Sequence, residues 1–206
     1  ALGVIRIILE NRIRISLKSL MNAELIEFFT DRLKVQLKDS GIRHDVIAAV
    51  IADGDDDLVR IVERAKAVQE FLATEDGANL LAGYKRAANI LTIEEKKDGV
   101  SYNQPVDSKL SAAQAEESAL ATSLTQSAAS IEADLAKEAY TEAMRSLSKL
   151  RAPVDHFFDK VLVNSEDKAV RANRLRLLSQ LRTTLDKIAN FSLVEGDIKE
   201  QKKKAA

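Results

Sequence analysis

The amino-acid sequence predicts an all-α fold, a helical bundle. Its 206 residues include only two prolines and seven glycines, and Ala, Leu, Lys, Glu and Arg are plentiful. Apolar residues also recur at three- and four-residue steps almost throughout. Scarce turn formers, strong helix formers and a helical period together argue against a β fold. Hydrophobic residues make up 46% and charged residues 31%, a balance that suits a chain able to bury a sizeable core. Aromatics are 4% and Trp is absent, so the core is expected to be aliphatic.

The elements follow in order. Val4, Ile5, Ile8 and Leu9 outline a first helix. Leu20, Leu25, Phe28, Phe29, Leu33 and Leu37 outline a second, which stops at Gly41, a natural C-terminal residue. A short helix is expected over Asp45–Ala52. The aspartates of DGDDD at Asp53–Asp57 read as a turn and N-cap for the next helix; they lack the twelve-position ligand spacing of a calcium loop. Leu58, Ile61, Val62, Ala65, Val68, Phe71 and Leu72 continue the pattern, and another helix is expected over Gly77–Glu95. An irregular loop follows near Asp98–Asp107. Beyond it, an alanine-rich acidic stretch from Ala112 reads as one long solvent-exposed helix. Further helices are expected around Thr141–Leu150, Val154–Val163 and Asp167–Phe191. The helices are grouped as a support region (1–75) and a second helical region (76–193), followed by a frayed basic tail (194–206).

Several classes of function are excluded or disfavoured. Without cysteine there are no disulfides, thiolate zinc sites or cysteine nucleophiles, which is compatible with a reducing cytoplasm. No apolar run reaches membrane-spanning length, and the opening segment has no leader-type cleavage site. The chain starts on Ala1 inside an apolar pattern, so a larger protein is expected on its N-terminal side. The two histidines, His44 and His156, cannot furnish a histidine-rich phosphohydrolase site, although His44–Asp45 superficially suggests one. No phosphate loop, nucleophile elbow or HExxH occurs, so no catalytic residue and no metal ligand is assigned.

The net charge of −1 conceals local asymmetry. From Ala112 to Glu142 six acids face Lys137 alone, and from Lys168 to Lys187 six bases face Asp186 alone. Local potential governs docking to an RNA backbone. In the last helix, residues placed about 100° apart put Val170, Leu177, Leu178, Leu181, Leu185 and Ile188 in one apolar sector. Arg171 and Arg182 lie along its margin, while Arg176 and Lys187 face away. Arg174 falls inside the stripe, where an unpaired guanidinium is costly, so an ion pair with Asp155 or Asp159 of the preceding helix is expected. Arg171 and Arg182 are expected to leave the core and present planar forks to phosphates or bases. From periodicity and charge alone, a solvated basic face remains the default reading. The helix from Gly77 offers a second surface, with Lys85, Arg86, Asn89 and Lys96 on its outer side and Lys97 near the loop; Tyr84 falls on the core side. Asn164 and Asn173 are weaker candidates.

DGANLLAGYKRAANIL at Asp76–Leu91, EEKKDGVSY at Glu94–Tyr102, LRAPVDHFFDKVLVNSEDKAVRANRLRLL at Leu150–Leu178 and FFTDRLKVQLKDSGIRHDVIAAV at Phe28–Val50 resemble the C-terminal part of bacterial glycyl-tRNA synthetase β subunits. The Leu150–Leu178 block is also similar to the DALR anticodon-binding fold, with KAVR at Lys168–Arg171 in place of the namesake tetrapeptide. The resemblance implies a non-catalytic tRNA-binding part of an α2β2 enzyme that glycylates tRNA-Gly. It places ATP, magnesium and the aminoacylation site in the α subunit, leaves this part without a cofactor, and implies neither membrane nor DNA as a partner. It makes Arg171, Arg182, Lys85, Arg86, Asn89, Lys96 and Lys97 the candidate tRNA contacts. The alternative is a helical module that docks protein on the acidic helix from Ala112.

Overall fold

A computed structural model of the chain describes residues 2–52, 54–112 and 114–196. Among these residues the fold is all-α, without a strand: α1 (Leu2–Glu10), α2 (Ala23–Asp39), α3 (His44–Ile51), α4 (Leu58–Leu72), α5 (Glu75–Asp98), α6 (Ser108–Ser111), α7 (Ala115–Ala136), α8 (Tyr140–Ser148), α9 (Arg151–Lys160) and α10 (Lys168–Asp186). The helix ends are set by short polar side chains that satisfy exposed backbone N–H groups. Asn22, Asp57, Thr74 and Asp167 accept from the first turns of α2, α4, α5 and α10. Gly41 (φ +86°) and Gly99 (φ +67°) take the left-handed conformation just beyond α2 and α5, which costs glycine least.

The bundle that dominates the molecule is a ring. α10 packs against α5 and α7, and α9 closes the other side by packing against the same two helices. α8 covers α7, while α4 joins the bundle to α1 and α3. Gly83 allows α5 and α9 to approach closely, because a Cβ there would stand 2.6 Å from Val154 Cγ1. At the α4–α5 corner a Cβ on Gly77 would lie 2.0 Å from the Phe71 carbonyl oxygen. One continuous apolar cluster runs from Ile5 through Leu33, Val46, Val68, Tyr84, Leu124, Phe157 and Leu178 to Val194.

The structure departs from the sequence expectations in five places. α7 is exposed on one side only: Glu117, Leu120, Leu124, Ser127 and Ile131 are buried at steps of three and four. Its many alanines blur the contrast between faces, so the stripe is faint in sequence. Leu20, Leu25 and Phe28 keep the helical period yet are at least two-fifths exposed. Pro153 lies in the first turn of α9, where its missing N–H costs nothing. α10 ends at Asp186, and Phe191 follows in a separate 3-10 turn at Phe191–Leu193. Finally, the segment read as a frayed tail starts out docked. Val194 is buried, and the Glu195 N–H donates to Asp45 at 2.7 Å. The rest of that segment, 197–206, lies outside the described residues.

Candidate nucleic-acid interface

Where α5 and α10 cross, Arg171 sits at the centre of a polar cluster. Its Nη2 donates to Glu94 at 2.5 Å and to Asp98 at 2.6 Å, and its Nη1 lies 3.3 Å from the Tyr102 hydroxyl. Asn164 completes the set, donating to Glu94 at 2.9 Å and accepting from Arg171 Nε at 3.2 Å. The Asn164 amide and the guanidinium hold the Glu94 carboxyl below its ordinary range. The Tyr102 hydroxyl and the same guanidinium do so for Asp98. The two carboxylates in turn raise the Arg171 pKa. The expected free fork on Arg171 is therefore corrected: the guanidinium is engaged inside the fold and ties α5 to α10. Nothing in the residue spacing revealed Glu94 and Asp98 as its partners.

Arg174 needs a second correction. It pairs with Glu117 of α7, Nη2 to Oε1 at 2.6 Å, and not with Asp155 or Asp159. Arg174 also donates to the Leu162 carbonyl at 2.7 Å and to the Gln114 amide oxygen at 3.1 Å. Asp155 instead lies 3.6 Å from Arg151 in its own helix, and Asp159 is exposed. The reason is geometric: the face of α10 that carries Arg174 is covered by α7, so the carboxylate comes from there. Asn173, a weaker candidate, is fully buried; its amide accepts from the Asp107 N–H at 2.7 Å and donates to Ser111 Oγ at 3.0 Å.

The remaining candidates stay on the surface. Along α5, Arg86, Asn89, Lys96 and Lys97 are exposed and Lys85 is half-buried. The Arg86 guanidinium stacks over Phe158 at 4.4 Å from the ring centroid, which fixes its plane while its edge stays open. Lys85, Arg86 and Lys96 have no carboxylate partner among the described residues, and Lys97 is 3.9 Å from Glu94. Arg182 of α10 is about a quarter exposed and 3.9 Å from Glu95. Tyr84 is buried as expected and donates to Asp186 at 2.8 Å. Burial raises the Asp186 carboxyl, and the Tyr84 hydrogen bond opposes that rise.

The remaining polar clusters hold the fold. Asp45 beside His44 pairs with Arg43, and Asp55 holds both Arg60 and Arg64, at 2.6 Å each. Among the described residues, no three of His, Asp and Glu converge as a bound metal requires. Arg176, read from the helical wheel as facing away, instead lines a groove between α7, α10 and the 102–108 segment. Lys187, read the same way, pairs with Glu132 at 3.0 Å.

The sequence is similar to those of known proteins. The DALR anticodon binding domain family matches residues 80–192, the span from α5 to the turn after α10. The glycine–tRNA ligase beta subunit of Phenylobacterium zucineum is 53% identical over 196 residues, covering 95% of this chain and 29% of that protein. The corresponding subunit of Rhodospirillum centenum is 52% identical over 212 residues, covering 95% and 30%. That of Ruegeria sp. is 47% identical over 205 residues, again covering 95% and 30%. The chain thus spans less than a third of the length of the curated relatives it matches.

Proposed function

The chain belongs to the DALR anticodon binding domain family, and on that premise we propose that it is the tRNA-binding C-terminal part of a glycine–tRNA ligase beta subunit. Its role is to hold the anticodon region of tRNA-Gly while an α subunit, in an α2β2 assembly in the cytoplasm, performs ATP-dependent glycylation. ATP, magnesium and glycine are assigned to that α subunit.

One observation carries the reading. Within the span matched to the family, the outer face of α5 presents Lys85, Arg86 and Lys96 without carboxylate partners, beside the amide of Asn89. Five arginines elsewhere in the fold are neutralised at short range: Arg14, Arg60, Arg151, Arg171 and Arg174 all sit in ion pairs. Unneutralised cations with a stacked guanidinium suit a phosphate backbone and unpaired bases. The acidic helix α7 offers less to a protein partner than its composition suggests, because Glu117 and Glu132 are spent on Arg174 and Lys187.

A salt titration of tRNA-Gly binding tests the proposal. Affinity is expected to fall steeply with salt, and the slope to drop by about one for each of Lys85→Ala, Arg86→Ala and Lys96→Ala that loses a phosphate contact. No binding by the folded chain at low salt would defeat the reading.

A further inference from the structure

The groove between α7 and α10 encloses about 730 Å³ and is closed at one end by residues 102–108. That size falls in the roughly 300–1,000 Å³ range of small-ligand clefts. Its α10 wall carries Arg176, Gln180 and Thr183, residues on one helical face. Its α7 wall carries Thr122 and Gln126, one turn apart.

Two features set this groove apart from the rest of the surface. Acidic residues outnumber basic ones in the chain, 32 to 31, yet no Asp or Glu lines it. Arg176, alone among the arginines of α10, has no ion-pair partner among the described residues. It is half-buried, and its Nε is withdrawn from water with no hydrogen-bond partner. A guanidinium placed this way on a solvated face would simply extend into water. Here it is held against a cleft, with one donor, Nε, that the fold leaves unsatisfied.

We propose that this groove binds one unpaired nucleotide of RNA, with its phosphate on Arg176 and its base edge against the carboxamides of Gln126 and Gln180. The inference rests on the tRNA-binding reading and assigns that reading a pocket. Both carboxamides are free of partners among the described residues, and each presents a donor and an acceptor side by side, as a base edge requires. Two of the neighbouring hydroxyls do not compete. Thr125 and Thr183 donate to carbonyls of their own helices at 2.9 and 3.1 Å. Pro105 and Val106 supply an apolar surface for the base plane. A cleft without carboxylates and with one cation suits a phosphodiester. A protein strand would need backbone partners in a row, which the two helix walls do not offer. A base held in a duplex cannot enter, so the site selects unpaired RNA.

The test uses the 206-residue chain and two RNA probes, the anticodon stem-loop of tRNA-Gly and the same stem as an uninterrupted duplex. Arg176→Ala and Gln180→Ala are each expected to weaken the stem-loop about tenfold, the size of one base contact, and to change duplex binding less than twofold. Thr122→Trp, which fills the groove from an exposed position without altering charge, gives the same pattern even if Arg176→Ala should unfold. Removing the base of a single loop nucleotide reproduces the loss seen with Gln180→Ala, and Gln180→Ala adds nothing to it. Groove variants that stay folded and bind the stem-loop as tightly as the unaltered chain would overturn the pocket while leaving tRNA binding intact. Failure of the unaltered chain to bind either probe would overturn both.

Discussion

Arg174 of α10 and Glu117 of α7 form an ion pair in which the carboxylate is almost wholly enclosed, at 1% side-chain exposure, and the guanidinium is 12% exposed. The second carboxylate oxygen of Glu117 has no hydrogen-bond partner among the described residues. A charge held this way depends on its partner.

Arg174→Leu, which strands the Glu117 carboxylate, is expected to cost roughly 3–5 kcal/mol. The double variant Arg174→Leu/Glu117→Leu removes both charges and recovers most of that loss. Urea denaturation followed by circular dichroism measures the two values, and equal stability of the single and double variants would refute the coupling.

Arg171→Met removes the cation shared by Glu94 and Asp98 and is expected to destabilise the fold at neutral pH. Both carboxyls are depressed in the fold, so the stabilisation is fully present above their ordinary values of 4.5 and 3.8 and is lost as pH falls through the folded ones. Denaturation at a series of pH values should show the gap between variant and parent closing in acid. A gap that stayed constant would mean that lost packing, not charge, is the cause.

Gly77→Ala places a methyl group on the Phe71 carbonyl, a backbone atom that cannot rotate away. Overpacking of this kind is expected to cost on the order of 3 kcal/mol, more than the helix-propensity gain of about 1 kcal/mol returns. A thermal melt at or above the parent's would contradict the close α4–α5 approach.

Tyr84→Phe deletes the donor to Asp186 at a cost of about 1 kcal/mol at neutral pH. Asp186 already has a raised pKa, so its contribution to stability falls as pH rises through the folded value. Without the hydroxyl that rise grows, and the variant should lose stability with increasing pH more steeply than the parent. Parallel pH profiles would show that the hydroxyl does not act through Asp186.

Much of this was legible in the sequence. The helices, the Gly41 stop, the Asp57 cap and the apolar stripe of α10 follow from local rules that the tertiary structure did not override. The partners of Arg171 and Arg174 do not. Periodicity says which face a residue occupies, but not which helix will cover it. Asp155 and Asp159 are near Arg174 in sequence, whereas Glu117 is nearer in space because α7 closes the ring. The same gap hid Arg176, whose groove exists only once α7 and the 102–108 segment are in place.

The connections between the N-terminal helices and the end of the chain bear on how the molecule is made. Arg14 bonds to Glu138 across 124 residues, Asp45 accepts from Glu195 across 150, and Ala49 accepts from the Asn190 N–H at 3.0 Å. Contacts so distant in sequence slow folding relative to bundles built from neighbouring helices. On the ribosome, α3 can pack on α2 and α4 early, but the face that meets the Phe191–Leu193 turn must wait until that turn has emerged. That interval of exposed apolar surface is when the nascent chain is most open to aggregation.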